Sequence, residues 1–112
     1  MNMQDEKFNL IREQILNIVF KYLDKDKTIV YLFGSRAEGT NGRFSDIDIG
    51  IEFSEGDVPS KEFLSIGEEV NNKVDTLLKI DVVDFNRLNN EFKNFALKEA
   101  IIWHSPKNML KD

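Results

Sequence analysis

The stretch from Leu32 to Phe53, LFGSRAEGTNGRFSDIDIGIEF, sets a glycine-rich turn directly before a segment of strict two-residue alternation. In DIDIGIEF the side chains of Ile47, Ile49, Ile51 and Phe53 point one way and those of Asp46, Asp48, Gly50 and Glu52 the other, as on a half-buried β-strand. An apolar face of this kind must lie against a core. The same strand must then present two carboxylates, with Cα atoms roughly 6.5 Å apart, on its other face. Neighbouring carboxylates repel and resist burial, so they call for water or a cation between them. Glu52 shares their face but lies about 13 Å from Asp48 along the strand, too far for the same ion. Gly50 removes a side chain beside Asp48, which leaves room for a ligand to approach the backbone.

The rest of the chain surrounds this strand with alternating elements. From about Asp5 to Leu23, Phe8, Ile11, Ile15, Ile18, Val19 and Tyr22 recur at helical spacing. TIVYLF, Thr28 to Phe33, is short and rich in β-branched and aromatic residues, as a strand buried on both faces would be. Ser35 to Glu38 can begin a short helix, and Gly39 to Ser45 has the composition of a mobile loop. Ser60 is placed to cap a helix with the stripe Phe63, Ile66, Val70, Val74 and Leu77. KIDVVDF, Lys79 to Phe85, is a further strand, and Leu88, Phe92, Phe95 and Ala96 mark a helix before the apolar AIIWH. The tail SPKNMLKD reads as unstructured or dependent on a partner. Helices and strands interleave without repeats or a linker, so the expected class is α/β (α+β) in one domain spanning residues 1–112.

Composition removes several alternatives. The chain of 112 residues has no cysteine, which excludes a thiolate metal site, a cysteine nucleophile and a disulfide framework. Its net charge is −5 and its basic residues are scattered, which argues against a domain that grips nucleic acid by its phosphates. The acidic, amphipathic start does not read as a secretory signal, and nothing approaches a membrane span; the expected location is the cytoplasm.

Gly34 and Ser35 supply the complement to the two aspartates. A glycine at the end of a buried strand lets an anion come close, and the exposed N–H groups with the Ser35 hydroxyl can donate to phosphate oxygens. A phosphate there and a divalent cation on Asp46 and Asp48 together describe a nucleoside triphosphate bound as its metal complex. Taken singly, alternating aspartates also describe a solvated sheet face, and Gly-Ser after a strand also describes a plain turn. The order and spacing of the two halves is what distinguishes them.

G-S-R-A-x-G followed by S-D-I-D-I, carried by Gly34, Ser35, Arg36, Ala37, Gly39, Ser45, Asp46, Ile47, Asp48 and Ile49, closely resembles the signature of the DNA polymerase beta-like nucleotidyltransferase superfamily, and specifically its minimal nucleotidyltransferases, the MNT proteins. The resemblance implies a small mixed β-sheet flanked by helices. It implies that the Gly-Ser pair contacts the triphosphate of ATP, and that Asp46 and Asp48 hold two Mg2+ ions with a third carboxylate from a neighbouring strand. Asp81 and Asp84 lie on opposite faces of KIDVVDF, so only one can face the metals, and parity does not say which. The resemblance selects Asp81 and leaves Asp84 as a strand-end or capping residue. Two metals about 3.5 to 4 Å apart would clamp the α-phosphate, with Asp81 helping to deprotonate the attacking hydroxyl.

Arg36 is a secondary candidate for phosphate oxygens and equally suits a structural role; Ser45 completes the candidate nucleotide-binding set. Glu38 stands where family members frequently carry a basic residue. His104 and Trp103 are expected to be structural, and no P-loop occurs. Larger relatives carry a second domain for the acceptor. Stand-alone MNT proteins resemble antitoxins of HEPN/MNT pairs, which adenylylate a tyrosine of a HEPN ribonuclease, so a HEPN-family toxin is the implied partner. The alternatives are a subunit that neutralises such a partner by contact alone and nucleotidyl transfer to a small molecule.

Overall fold

The computed structural model describes residues 3–107. Helix α1, Met3–Tyr22, is followed by strand β1, Thr28–Phe33, the one-turn helix α2, Ser35–Glu38, and strand β2, Ile47–Phe53. Helix α3, Ser60–Lys73, strand β3, Ile80–Asp84, helix α4, Asn90–Leu97, and strand β4, Ile101–His104, complete the order. The four strands form one mixed sheet in the order β3-β2-β1-β4: β1 runs antiparallel to β2 and β4, and β2 runs parallel to β3. This is the mixed sheet flanked by helices that the family resemblance implies, within the α/β (α+β) class that the alternation of elements predicts.

The two faces of the sheet are unequal. Val30 and Leu32 of β1, Ile47, Ile49 and Ile51 of β2 and Ile80 of β3 form one core with Ile11, Ile15, Ile18 and Val19 of α1 and Ile66 and Val70 of α3. All three β2 isoleucines are fully buried, so the alternation in DIDIGIEF does bury one face and leave the other to the aspartates. Helices α1 and α3 are also tied by charge: Glu69 accepts from Lys21 at 2.7 Å and from the Tyr22 hydroxyl, with Lys73 at 3.5 Å. Those donors hold the Glu69 carboxyl down at about 2.

The opposite face carries a smaller cluster in which Tyr31, Phe85 and Ala96 are buried and Ile29, Phe33, Val83, Leu88 and Leu97 pack around them. Phe85 stacks on Tyr31 at 5.4 Å and meets Phe33 edge-on at 5.1 Å. Glu52 belongs here: its carboxylate accepts from Tyr31 at 2.9 Å and from Lys93 of α4 at 2.6 Å, fastening α4 onto the sheet. Burial first, and the Glu52 carboxylate second, push the Tyr31 hydroxyl far above its ordinary range.

Four local expectations are corrected. Helix α3 ends at Lys73, with Val74 as its C-cap, so Leu77 falls in the following turn and is fully exposed. Ser60 is the first helical residue rather than the cap; Pro59 occupies the N-cap, with no side-chain hydrogen bond there. On α4 it is Ala96 and Leu97 that pack inward, while Phe92 and Phe95 face outward. The space opposite Gly50 is filled by the chain itself, because a Cβ there would lie 2.4 Å from the Phe85 ring. Trp103 packs edge-on against Phe8, and His104 Nε2 lies 2.8 Å from the Lys25 carbonyl, so both are structural. The expectation for the tail past residue 107 lies outside the described residues.

The Gly50–Phe85 contact yields a stability test. Gly50→Ala overpacks the sheet and is expected to cost about 1–3 kcal/mol, seen as a lowered midpoint in urea denaturation. Combined with Phe85→Leu, the added methyl should cost much less than it does alone, because the two positions share one space. Additive losses in that double-mutant cycle would show that Phe85 is not what Gly50 accommodates.

Candidate active site

At the end of the sheet where β1 stops and β2 and β3 begin, three carboxylates and the glycine turn come together. Cα pairing sets Phe33 opposite Asp48 and Asp48 opposite Asp81, so the carboxylates of adjacent strands share one register and one face. Asp46 immediately precedes β2, exposed, with the same parity as Asp48. Asp48 is partly buried and Asp81 is exposed.

Gly34 is the pivot. It has φ 74° and ψ −159°, a conformation that side chains bearing a Cβ rarely adopt, and a Cβ built there would lie 2.2 Å from Asp48 Oδ2. The backbone of the Gly34–Ser35 turn therefore runs against the Asp48 carboxylate, an approach only glycine allows. The carbonyl of Gly34 accepts from Ala37 and Glu38, and Gly39, at φ 78°, ends α2 in the left-handed conformation.

The electrostatics follow from this crowding. Burial, then Asp81, then Asp46, raise the Asp48 carboxyl above the ordinary carboxylate value, and Arg36 and Lys79 oppose that rise. A carboxylate burdened by two others in partial burial is relieved by a cation. The donor set is all oxygen, which suits Mg2+, a hard ion that keeps waters and takes further oxygens from phosphate. Among the described residues, no three His, Cys, Asp or Glu side chains converge closely enough to enclose a metal by themselves. Asp46, Asp48 and Asp81 are the residues that could hold such an ion, with oxygens from outside the chain completing its coordination.

Asp84 is engaged elsewhere. It is buried, accepting from Val58 N–H at 2.8 Å and Asn86 N–H at 3.0 Å, with Arg87 Nε at 3.4 Å, and it caps the 3-10 turn Phe85–Arg87. It lies on the other side of β3 from Asp81, paired with Ile51.

Two residues that sequence reasoning did not single out align the strands. Asn71 of α3 donates to the Ile80 carbonyl at 2.8 Å and accepts from its N–H at 2.9 Å, acting as a strand partner for the residue just before Asp81. Asn86 donates to the carbonyls of Phe53 and Gly56, closing the turn after β2. An asparagine on a helix carries no signal of such a role until the strand it meets is known. The other two nucleotide-binding candidates lie at the loop that joins the halves of the site: Arg36 donates to the Ser45 carbonyl, and the Ser45 hydroxyl accepts from Gly42 N–H at 2.8 Å.

A glycine turn at a strand end, facing carboxylates in register on the next two strands, is the arrangement of a nucleotidyltransferase. Residues 13–108 match the family model described as polymerase beta, nucleotidyltransferase, and the chain belongs to that family. A Methanocaldococcus jannaschii protein named "Putative protein adenylyltransferase" is 33% identical over 75 residues, covering 66% of this chain and 73% of its own. Among solved structures, a chain of a toxin-antitoxin crystal structure with AMP-PNP superposes with a TM-score of 0.71 at 18% identity, over 88% of this chain and 76% of that one. A chain of the tri-AMPylated Shewanella oneidensis HEPN toxin in complex with its MNT antitoxin gives 0.68 at 15% identity, over 90% and 75%. At these identities the structural likeness speaks for the fold. Together with the family match, it makes this chain a nucleotidyltransferase.

The raised Asp48 carboxyl sets a pH dependence. A folded-state value above the unfolded one favours the protonated form, so the charged form of Asp48 weakens the ligand-free protein above that raised value, and the penalty fades as pH falls through it toward 3.8. Asp48→Asn is therefore expected to stabilise the ligand-free protein at pH 7, with the gain shrinking toward pH 4. Thermal melts across that range check it; a variant less stable than wild type at pH 7 would contradict the assignment.

Proposed function

We propose that this chain, as a single minimal nucleotidyltransferase domain, transfers AMP from ATP in a Mg2+-dependent reaction to a protein acceptor, a tyrosine of a cognate HEPN ribonuclease toxin, and so acts as its antitoxin. The observation that carries the reading is the register of Asp48 with Asp81 beside the Gly34 turn. It gives one place where a triphosphate, its metals and an attacking hydroxyl can meet. The adenylyltransferase name of the archaeal relative supports AMP as the group transferred, and the toxin-antitoxin likenesses support the partner.

In this reading Gly34 lets the triphosphate lie against the backbone, and Ser35 donates to its oxygens. Asp46, Asp48 and Asp81 would hold Mg2+, which supplies charge neutralisation at the α-phosphate and at the departing pyrophosphate. Asp81, exposed on the neighbouring strand, takes the proton of the attacking hydroxyl. The new bond forms between the tyrosine oxygen and the α-phosphorus, and the bond to the β-phosphate oxygen breaks as pyrophosphate leaves with the electron pair. Gly50 and Phe85 keep the sheet beneath the site filled and dry.

Mass spectrometry of the protein encoded beside this one, after incubation with ATP and Mg2+, tests the reading. A gain of one or more AMP masses on a tyrosine is expected with wild type, and Asp48→Asn should reduce it by about 10³-fold or more. Undiminished transfer by the variant would sink the assigned mechanism.

A second reading, neutralisation by contact alone, is favoured by the apolar side chains that α4 and β4 leave exposed: Phe92, Phe95, Ile101 and Ile102. If Asp46→Ala/Asp48→Ala protects cells from the partner as well as wild type does, contact is responsible. Loss of protection with binding retained assigns the effect to chemistry.

A further inference from the structure

The loop between the glycine turn and the first aspartate is held from one side chain. Gly39 to Phe44 are all exposed, Phe44 at 81%, and this stretch adds nothing to either core cluster. A segment with so little buried surface has little packing to fix its path. Its far end is nonetheless demanding, because Ser45 leads directly into Asp46, which must arrive on the same face as Asp48.

Arg36 spans this gap from α2. Its Nε donates to the Ser45 carbonyl at 3.1 Å and its Nη2 to the same oxygen at 2.9 Å, with a further contact from Nη2 to the Arg43 carbonyl at 3.4 Å. Two adjacent N–H groups on one edge of the guanidinium thus converge on one backbone oxygen, a match that the planar arginine head makes and an ammonium cannot. The loop completes the clasp from within, since the Ser45 hydroxyl accepts from Gly42 N–H and Ser45 N–H donates to the Gly42 carbonyl at 3.3 Å. Near its start, Thr40 N–H donates to the Ser35 carbonyl at 3.0 Å. The residue that follows Gly34 and Ser35 by one step therefore ties the phosphate side of the site to the residue that precedes Asp46.

We infer that Arg36 is a positioning residue, whose guanidinium clasps the Ser45 carbonyl and so sets where Asp46 enters the site, rather than a ligand of the triphosphate. The clasp stands on the loop geometry; its consequence for turnover rests on the nucleotidyl-transfer reading above. Arg36 acts through Ser45, so the tests must separate a clasp from a direct phosphate contact. Arg36→Met removes charge and fork, while Arg36→Lys keeps the charge and loses the fork.

The first readout needs neither nucleotide nor metal. Trypsin cleavage of the exposed Arg43–Phe44 bond in the full chain, followed by mass spectrometry, should be about tenfold faster in Arg36→Met than in wild type, with Arg36→Lys in between. The second is kinetic. Both variants should lose kcat and need more Mg2+ for half-saturation, with KM for ATP changing less than either. Cleavage at the wild-type rate in both variants, with KM for ATP raised by Arg36→Met and restored by Arg36→Lys, would overturn the clasp and make Arg36 a phosphate ligand. Should Arg36→Met fail to fold, the cleavage rate of Arg36→Lys alone decides: wild-type protection rules the fork out. If wild type transfers no nucleotide to the partner, the acceptor reading fails, while the cleavage comparison still decides the clasp.

Discussion

The register of β2 between β1 and β3 is the constraint on which the rest of the structure depends. Because side chains alternate along a strand, one register buries Ile47, Ile49 and Ile51 under α1 and α3 and lifts Asp48 toward Gly34 and Asp81. A slip by one residue would drive the aspartates into the larger core and expose the isoleucines. The cost of burying charge and the loss of the apolar face act in the same direction, so one set of contacts fixes both the fold and the site. Asn71 reinforces the register from outside the sheet by pairing with Ile80 just ahead of Asp81.

That coupling explains which parts were legible in the sequence. The isoleucine-aspartate alternation dictates two faces for any strand it forms, and Gly34 at a strand end marks a close approach; both follow from local chemistry. The choice between Asp81 and Asp84 does not. Parity separates them, but which face of β3 turns to Asp48 depends on its parallel pairing with β2 and on the polar partners around Asp84, and both are tertiary facts. Leu77 fits a helical stripe by spacing alone, yet α3 stops at Lys73 and strands it in a turn. Phe92 and Phe95 fit a helix face too, but α4 turns Ala96 and Leu97 to the sheet, with Lys93 on Glu52, and leaves the phenylalanines outward. Gly50 was legible as a missing side chain and not as to what fills the space, since Phe85 lies 35 positions further on.

The same face divides along its length into a wet end and a dry end. At the mouth of the strands the carboxylates of Asp46, Asp48 and Asp81 crowd one another, with Phe33 opposite Asp48; deeper, Tyr31 and Phe85 close the surface with aromatic packing. Glu52, the next acidic residue in the β2 alternation, belongs to the dry end because Tyr31 and Lys93 satisfy both its oxygens. An acidic residue on the functional face is thus spent on structure or left unsatisfied according to whether donors reach it. The unsatisfied ones cluster beside the Gly34 turn, whose backbone runs against Asp48.

Stability and the candidate site accordingly draw on opposite sides of one sheet. The face against α1 and α3 is mostly apolar and largely buried, its buried Asp84 satisfied by backbone N–H groups, and it tolerates on the other side carboxylates that fold with their charges uncompensated. Asp48 shows the tension most directly: burial and its two neighbours work against its charged form, and Arg36 and Lys79 offset only part of that. A cation beside Asp48 would relieve part of what the chain leaves unrelieved. Arg36 has a double place in this balance, since its charge eases Asp48 while its fork holds the carbonyl before Asp46. The loop that it clasps has almost no packing of its own, so the approach of Asp46 to the site depends on hydrogen bonds rather than on burial.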